Sequence, residues 1–261
     1  MKKLFNYCIP FLIISIGFTI YKTYAFQHKP LGTDPRLFQG TIAWDAALVI
    51  HDDNSNKVRE IVNKNKQLIS FTDPYYGETL LAFAVYNQKY NSVKALIDLG
   101  ADPNKFNNSN GRTPLMEAIR IGNDYKYHSR YLILLLKHGG NPNLPSKKVD
   151  YGPESVSPLI MTCVDGNLEF AKILVEAGAD INYHTEGGGT ALYSAIISEN
   201  PDLVYYLLTN GADYKKPFKI VGSPKEYITH ALKYWDFDLN SEKYKKKMQI
   251  ISFLKEHGVD H

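Results

Sequence analysis

The chain has 261 residues, 44% of them hydrophobic and 22% charged, enough for a sizeable buried core. Lys plus Arg is 30 and Asp plus Glu 27, a formal net charge of +3. Residues 1–25 hold three lysines and no acid, so the remainder is formally neutral. Neutrality gives no reason to expect a nucleic-acid partner, and two cysteines, Cys8 and Cys163, are too few for a disulfide-stapled fold.

Lys2 and Lys3 precede an uncharged run over 4–21, and Thr23-Tyr24-Ala25 offers small residues before Phe26. That layout predicts a secretory signal over 1–25, with cleavage after Ala25. The run also lies at the short edge of what spans a bilayer, so an uncleaved N-terminal membrane anchor is the rival reading. Pro30, Gly32, Pro35 and Gly40 make 26–41 a spacer. From Trp44 the sequence turns apolar, breaks at His51-Asp52-Asp53-Asn54 and resumes at Val58, Ile61 and Val62 with helical spacing. Residues 42–73 are therefore expected to be a helix pair capping an array.

Four units follow, at 77–104, 111–143, 157–182 and 189–213, and a C-terminal unit or cap fills 222–261. Each clear unit opens on a Thr or Ser (Thr79, Thr113, Ser157, Thr190), which caps the free N–H groups of a first helix. Each closes on a glycine (Gly100, Gly139, Gly178, Gly211) able to end a second helix in a left-handed conformation. Thr190 stands 33 residues after Ser157, Gly211 33 after Gly178, and Gly222-Ser223-Pro224 repeats the opening once more. A 33-residue period with this content predicts stacked helix-turn-helix units with projecting loops. Ala84, Ala118, Thr162 and Ala195 occupy the small position where neighbouring first helices approach. Asp102, Asp180 and Asp213 recur at the site of a loop turn.

The register breaks in three places. Five extra residues fall near 123–130, expected in the turn between helices or in a longer second helix. The loop over 144–156 is expanded, and 235–247 adds an aromatic and lysine-rich stretch. The lysines at 243–247 are expected to form the wet face of the terminal cap. Insertions in a solenoid fall in loops, often on the binding face, so these are the places to look for a partner.

This grammar resembles the ankyrin repeat over residues 43–260, most strongly over 77–213. The fold implied is an all-α ankyrin-repeat solenoid of five to six helix-turn-helix units. Thr79, Thr113, Ser157, Thr190 and Ser223 match the threonine of the family's Thr-Pro-Leu-His opening. Proline follows only at 114, 158 and 224, and the histidine is replaced by Ala82, Met116, Ile160, Tyr193 and Glu226. The resemblance implies protein binding in a groove lined by first helices and loop tips. On the helices this nominates Phe83, Glu117, Met161 and Tyr193. On the loops it nominates Phe106, Lys147, Lys148, Asp150 and Tyr151, then Tyr183, His184 and Glu186, then Tyr214, Lys215 and Phe218.

No phosphate loop, zinc-binding cysteine pair or hydrolase motif is present, so no enzyme, cofactor or metal is expected. Cys163 reads as a buried small apolar residue. His138 and His257 precede closing glycines, where an imidazole serves a helix C-terminus. With the N-terminal segment, the reading is an exported bacterial ankyrin adaptor or inhibitor in the periplasm or envelope, monomeric when free, holding one protein partner. A narrower form is an immunity protein against a secreted toxin or lipase. The alternatives are an inner-membrane-anchored form, a secreted host-directed effector and a structural envelope protein.

Overall fold

A computed structural model describes residues 32–124, 129–148, 155–215 and 228–259. The expected signal or anchor over 1–25, and with it Cys8, lies outside them.

Twelve α-helices occur among the described residues, and they pair in chain order. The first pair is α1 (Trp44–His51) with α2 (Ser55–Lys64), followed by α3 (Leu80–Tyr86) with α4 (Tyr90–Asp98). Next come α5 (Pro114–Asp124) with α6 (Ser129–Lys137) and α7 (Pro158–Val164) with α8 (Leu168–Glu176). The series ends with α9 (Ala191–Ile197) and α10 (Pro201–Thr209), then α11 (Ile228–Lys233) and α12 (Glu242–Glu256). Odd-numbered helices pack on odd-numbered neighbours and even on even, giving an inner and an outer row. Burial is most complete in the short inner helix α3, where Leu80, Leu81, Ala82, Phe83, Ala84 and Val85 are all buried. Helices this short are unstable alone and persist because both neighbours cover them.

The capping chemistry is as the openings imply. The hydroxyls of Thr79, Thr113, Ser157 and Thr190 accept from the amides of Ala82, Met116, Ile160 and Tyr193 at 3.1–3.3 Å. Asn54, Asn167 and Asn200 do the same for outer helices α2, α8 and α10. The N-cap of helix α4 is Lys89, whose side chain makes no capping hydrogen bond. Asp53 of the preceding unit supplies one, accepting from the Ser92 amide at 2.8 Å and the Asn91 side chain at 2.9 Å. The outer helices end at Gly100, Gly139, Gly178 and Gly211, all with φ between 86° and 93°, a conformation that a side chain would strain.

An asparagine two residues past the recurring Asp or Asn couples each unit to the next. Asn104 donates to the Gly139 carbonyl at 2.8 Å and accepts from the Asn141 amide at 2.8 Å. Asn143 repeats this with Gly178 and Asp180, and Asn182 with Gly211 and Asp213. The recurring Asp102, Asp180 and Asp213 each accept from the amide two residues on, closing the turn as expected. At the next rung stands Lys215, which cannot accept, and the final unit docks differently. The Trp235 indole donates to the Ile196 carbonyl at 3.0 Å, Lys247 to the Trp235 carbonyl at 2.6 Å, and Lys246 pairs with Asp202 at 3.6 Å. Lys246 and Lys247 thus tie α12 into its surroundings, while Lys243 and Lys245 are exposed, so the expected wet face holds for part of the lysine stretch.

Two expected boundaries need correction. Residues 26–41 are not simply a spacer, because Pro35–Phe38 forms a 3-10 turn whose Leu37 and Phe38 are fully buried. The extra residues after Ala118 lengthen the inner helix: α5 has 11 residues where α3, α7 and α9 have 7, while α6 keeps the 9 of its outer neighbours. Gly122 makes that extension possible, since a Cβ there would sit 2.3 Å from the Phe170 ring. The four small positions are confirmed at 0% exposure, including Thr162.

Candidate functional site

Four finger loops project from the inner-helix starts, each closed at its base by a backbone hydrogen bond. These run from Asp73 to Glu78, Asn107 to Arg112, Ser146 to Val156 and Thr185 to Gly189, all at 2.9 Å. The expanded stretch is therefore a finger insertion: 147–155 lie beyond the third closure, against 74–77, 108–111 and 186–188 in the others. Adjacent fingers are zipped by Asn108 N–H to the Tyr76 carbonyl and Lys147 N–H to the Gly111 carbonyl, both 2.8 Å. Only glycine fits at 111, where a Cβ would meet the Lys147 carbonyl oxygen at 2.1 Å.

Several expected site residues converge on the fingers. The Lys147 ammonium lies 4.8 Å from the centre of the Phe106 ring. Lys148 of the third finger pairs with Glu186 of the fourth at 3.3 Å. His184 is exposed and donates from Nδ1 to the Thr185 carbonyl at 3.3 Å. Tyr183 and Tyr193 are half-buried against the core. Tyr214, also half-buried, meets the rings of Phe253 and His257 at 6.1 and 6.5 Å, and the Lys215 ammonium lies over the Tyr214 ring at 5.9 Å. Met161 is half-buried on α7. Asp150, Tyr151 and Phe218 lie outside the described residues.

Two expected contact residues are corrected. Phe83 is fully buried, edge-on to Phe38 at 5.3 Å, because the 3-10 turn folds over α3. Glu117 is 1% exposed and receives Arg120 Nε at 2.8 Å and the Asn110 side chain at 3.4 Å. Neither is presented to a partner.

Glu117 belongs to a buried polar layer beneath the fingers. Asp73 accepts from the amides of Tyr75, Tyr76 and Glu78 at 2.6–2.8 Å, which organises the first finger. Among the described residues the Glu78 side chain, 6% exposed, receives a long 3.5 Å contact from Asn107, and its Oε2 has no hydrogen-bond partner. Burial, reinforced by the nearby charges of Glu117 and Asp73 against the opposing pull of Arg120, pushes the Glu78 carboxyl up to about 7.

The inner row also presents residues that the sequence reading missed. Val164 at the end of α7 is 60% exposed, Ile197 at the end of α9 is 63% exposed, and Tyr234 just past α11 is 69% exposed. Val164 and Ile197 are one 33-residue period apart, each two residues after the small position, so the repeat register would have revealed them. Ile197 and Tyr234 share a hollow of about 130 Å³ with Ile196, Ala231, Trp235 and Glu199. At the other end of the row, the Arg120 guanidinium covers the Tyr86 ring at 4.5 Å.

Among the described residues no group of three or more His, Cys, Asp or Glu side chains is placed to hold a metal ion. Burial holds the Cys163 thiol up at about 12, consistent with a packed and unreactive side chain. His257 donates from Nδ1 to the Phe253 carbonyl at 2.7 Å, serving its helix end as expected.

Paired helices in two rows, four finger loops and coupling asparagines at three of the junctions, all among the described residues, define a repeat scaffold that presents a long surface. Residues 45–146 and 125–217 match the family described as Ankyrin repeats (3 copies), and the chain belongs to the ankyrin-repeat family. Membership carries with it a non-catalytic, protein-binding role. The chain is similar to the Notch-regulated ankyrin repeat-containing protein of Xenopus laevis, 38% identical over 93 residues that cover 36% of this chain and 75% of the relative. The Homo sapiens protein of the same name is 37% identical over 93 residues, again 36% and 75%. Putative ankyrin repeat protein FPV014 of Fowlpox virus (strain NVSL) is 32% identical over 124 residues, covering 45% of this chain and 24% of its own length.

These relatives overturn the expectation of an exported bacterial ankyrin protein, for they come from vertebrates and a virus. The periplasmic or envelope location, the inner-membrane-anchored form and the immunity role fall with it, as do the effector and envelope-structural alternatives. That reading rested on the short lysine-led N-terminal run and on the lack of cysteines for disulfides. Among the described residues no helix is long and apolar enough to cross a membrane.

Proposed function

We propose that this chain is a recognition scaffold that holds one protein partner along its inner-helix row and finger loops. The observation that carries the reading is the run of exposed apolar residues on three successive inner-helix ends, Val164, Ile197 and Tyr234, with a hollow between the last two. Val164 and Ile197 share one repeat position and Tyr234 lies just past the next inner helix; large apolar side chains kept in water there serve contact better than folding, and aromatic residues are frequent interface anchors. Lys147, Lys148, His184 and Glu186 at the fingers form a polar rim beside the Phe106 ring, and the long third finger with Asp150 and Tyr151 supplies selectivity. The test is affinity capture from the source cells with the full chain, run beside an Ile197→Asp/Tyr234→Ala variant. A protein retained by the parent and lost from the equally folded variant supports the reading. Retention by both variant and parent removes the inner row from it.

A further inference from the structure

The fingers enclose a second hollow, away from the apolar row. Its volume is about 210 Å³, and it is lined by Thr72 and Gly77 at the first finger, by Asp102, Asn104, Lys105, Phe106 and Asn108, and by Lys147 of the third. The backbone zips at Tyr76–Asn108 and Gly111–Lys147 fix its walls, so it exists before any partner arrives.

Its charge is unbalanced. Lys105 and Lys147 are both exposed, and neither forms an ion pair among the described residues. The single acidic side chain in the lining, Asp102, is committed to its turn through Oδ1, which accepts from the Asn104 amide at 2.8 Å. The Phe106 ring beneath the Lys147 ammonium holds that charge at the hollow instead of letting it sweep through solvent. The neighbouring Lys148 is answered by Glu186 at 3.3 Å, which leaves Lys105 and Lys147 as the cations awaiting a counter-charge. An exposed ammonium gains little from a distant anion, but two converging on one group in a walled hollow gain charge-assisted hydrogen bonds.

We propose that this hollow receives an anionic side-chain group presented by the protein partner, a carboxylate or a phosphoryl group, held between Lys105 and Lys147. The inference rests on the recognition reading above and adds the chemistry of one contact. It places an acidic or phosphorylated residue of the partner against the second and third fingers.

The full chain, labelled with nitrogen-15, is titrated at constant ionic strength with three tripeptide amides, Gly-Glu-Gly, Gly-phosphoSer-Gly and Gly-Gln-Gly. Saturable amide shifts at 72–77, 102–108 and 147 are expected for one or both anionic peptides and not for the glutamine peptide, and the tighter of the two identifies the source of the charge. Lys105→Met/Lys147→Met keeps the apolar stems and should weaken that binding about tenfold or more, with an unchanged melting temperature. Absence of saturable shifts, equal binding of the glutamine peptide, or undiminished binding by the double variant overturns the proposal. None of those results touches the recognition reading, which stands or falls on capture by the Ile197→Asp/Tyr234→Ala variant.

Discussion

Glu78 gives the sharpest quantitative consequence of the structure. Its carboxyl is buried under the first finger with one oxygen unpartnered, and its protonation midpoint moves from the ordinary 4.5 to about 7. In the unfolded chain it ionises near the ordinary value. Between those two pH values the folded protein keeps a proton that the unfolded chain has released, so stability falls as pH rises. The loss begins near pH 4.5, is complete above about 7, and at about 1.4 kcal/mol per pH unit of displacement amounts to about 3 kcal/mol. Replacing the acid by a neutral amide of the same shape, Glu78→Gln, removes the ionisation. Urea unfolding from pH 4.5 to 8.5 should show the variant more stable than the parent by about 3 kcal/mol at the alkaline end, with the gap closing toward pH 4.5. Parallel curves across that range would refute the reasoning, because they would mean that Glu78 ionises alike in both states.

Four further outcomes follow from packing and backbone geometry. Thr162 fills a position held elsewhere by alanine, and its buried hydroxyl has no hydrogen-bond partner among the described residues, so Thr162→Val should raise stability by about 1 kcal/mol in denaturant titration. Gly122→Ala drives a Cβ into Phe170 and should cost about 1–3 kcal/mol, partly recovered when Phe170→Leu is added in a double-mutant cycle. Gln88 and Glu199 sit at φ 59° and 49° where Gly166 occupies the same inter-helix turn. Gln88→Gly or Glu199→Gly should therefore raise the melting midpoint by an amount equivalent to about 0.5 kcal/mol, the left-handed strain relieved less the entropy added to the unfolded chain. Asn143→Ala removes both bonds joining its unit to the next. It should cost about 1–2 kcal/mol, and hydrogen exchange should report faster opening at the 143–180 junction.

Most of the scaffold was legible in the sequence because its information is local and repeated. Thr and Ser caps, closing glycines, the small inner position and the turn aspartates each rest on short-range backbone geometry, and a 33-residue period multiplies a weak signal. What the sequence hid is contact between distant segments. Nothing local marks Leu37 and Phe38 as the plug that buries Phe83, since Pro35 and Gly40 read as linker. Glu117 occupies an inner-helix position that is only half-buried at Met161 and Ser194, and only Arg120 and Asn110 folding over it reveal its burial. The longer α5 was misassigned because a count of residues between landmarks does not say which helix grows. Tyr183 and Tyr214 look like free loop aromatics in one dimension but lean on the core in three. The N-terminal lysine-led run suggested a bacterial exported protein, whereas the relatives of the repeat region come from vertebrates and a virus.

The central claim, that the exposed inner-row residues hold a protein partner, is tested most directly by comparing capture by the parent chain with capture by Ile197→Asp/Tyr234→Ala at matched circular dichroism and melting temperature. Both side chains are more than 60% exposed, so the fold should survive the exchange. The structure predicts a partner retained by the parent and reduced at least about tenfold by the variant. An identical set of retained proteins at identical yield would contradict it.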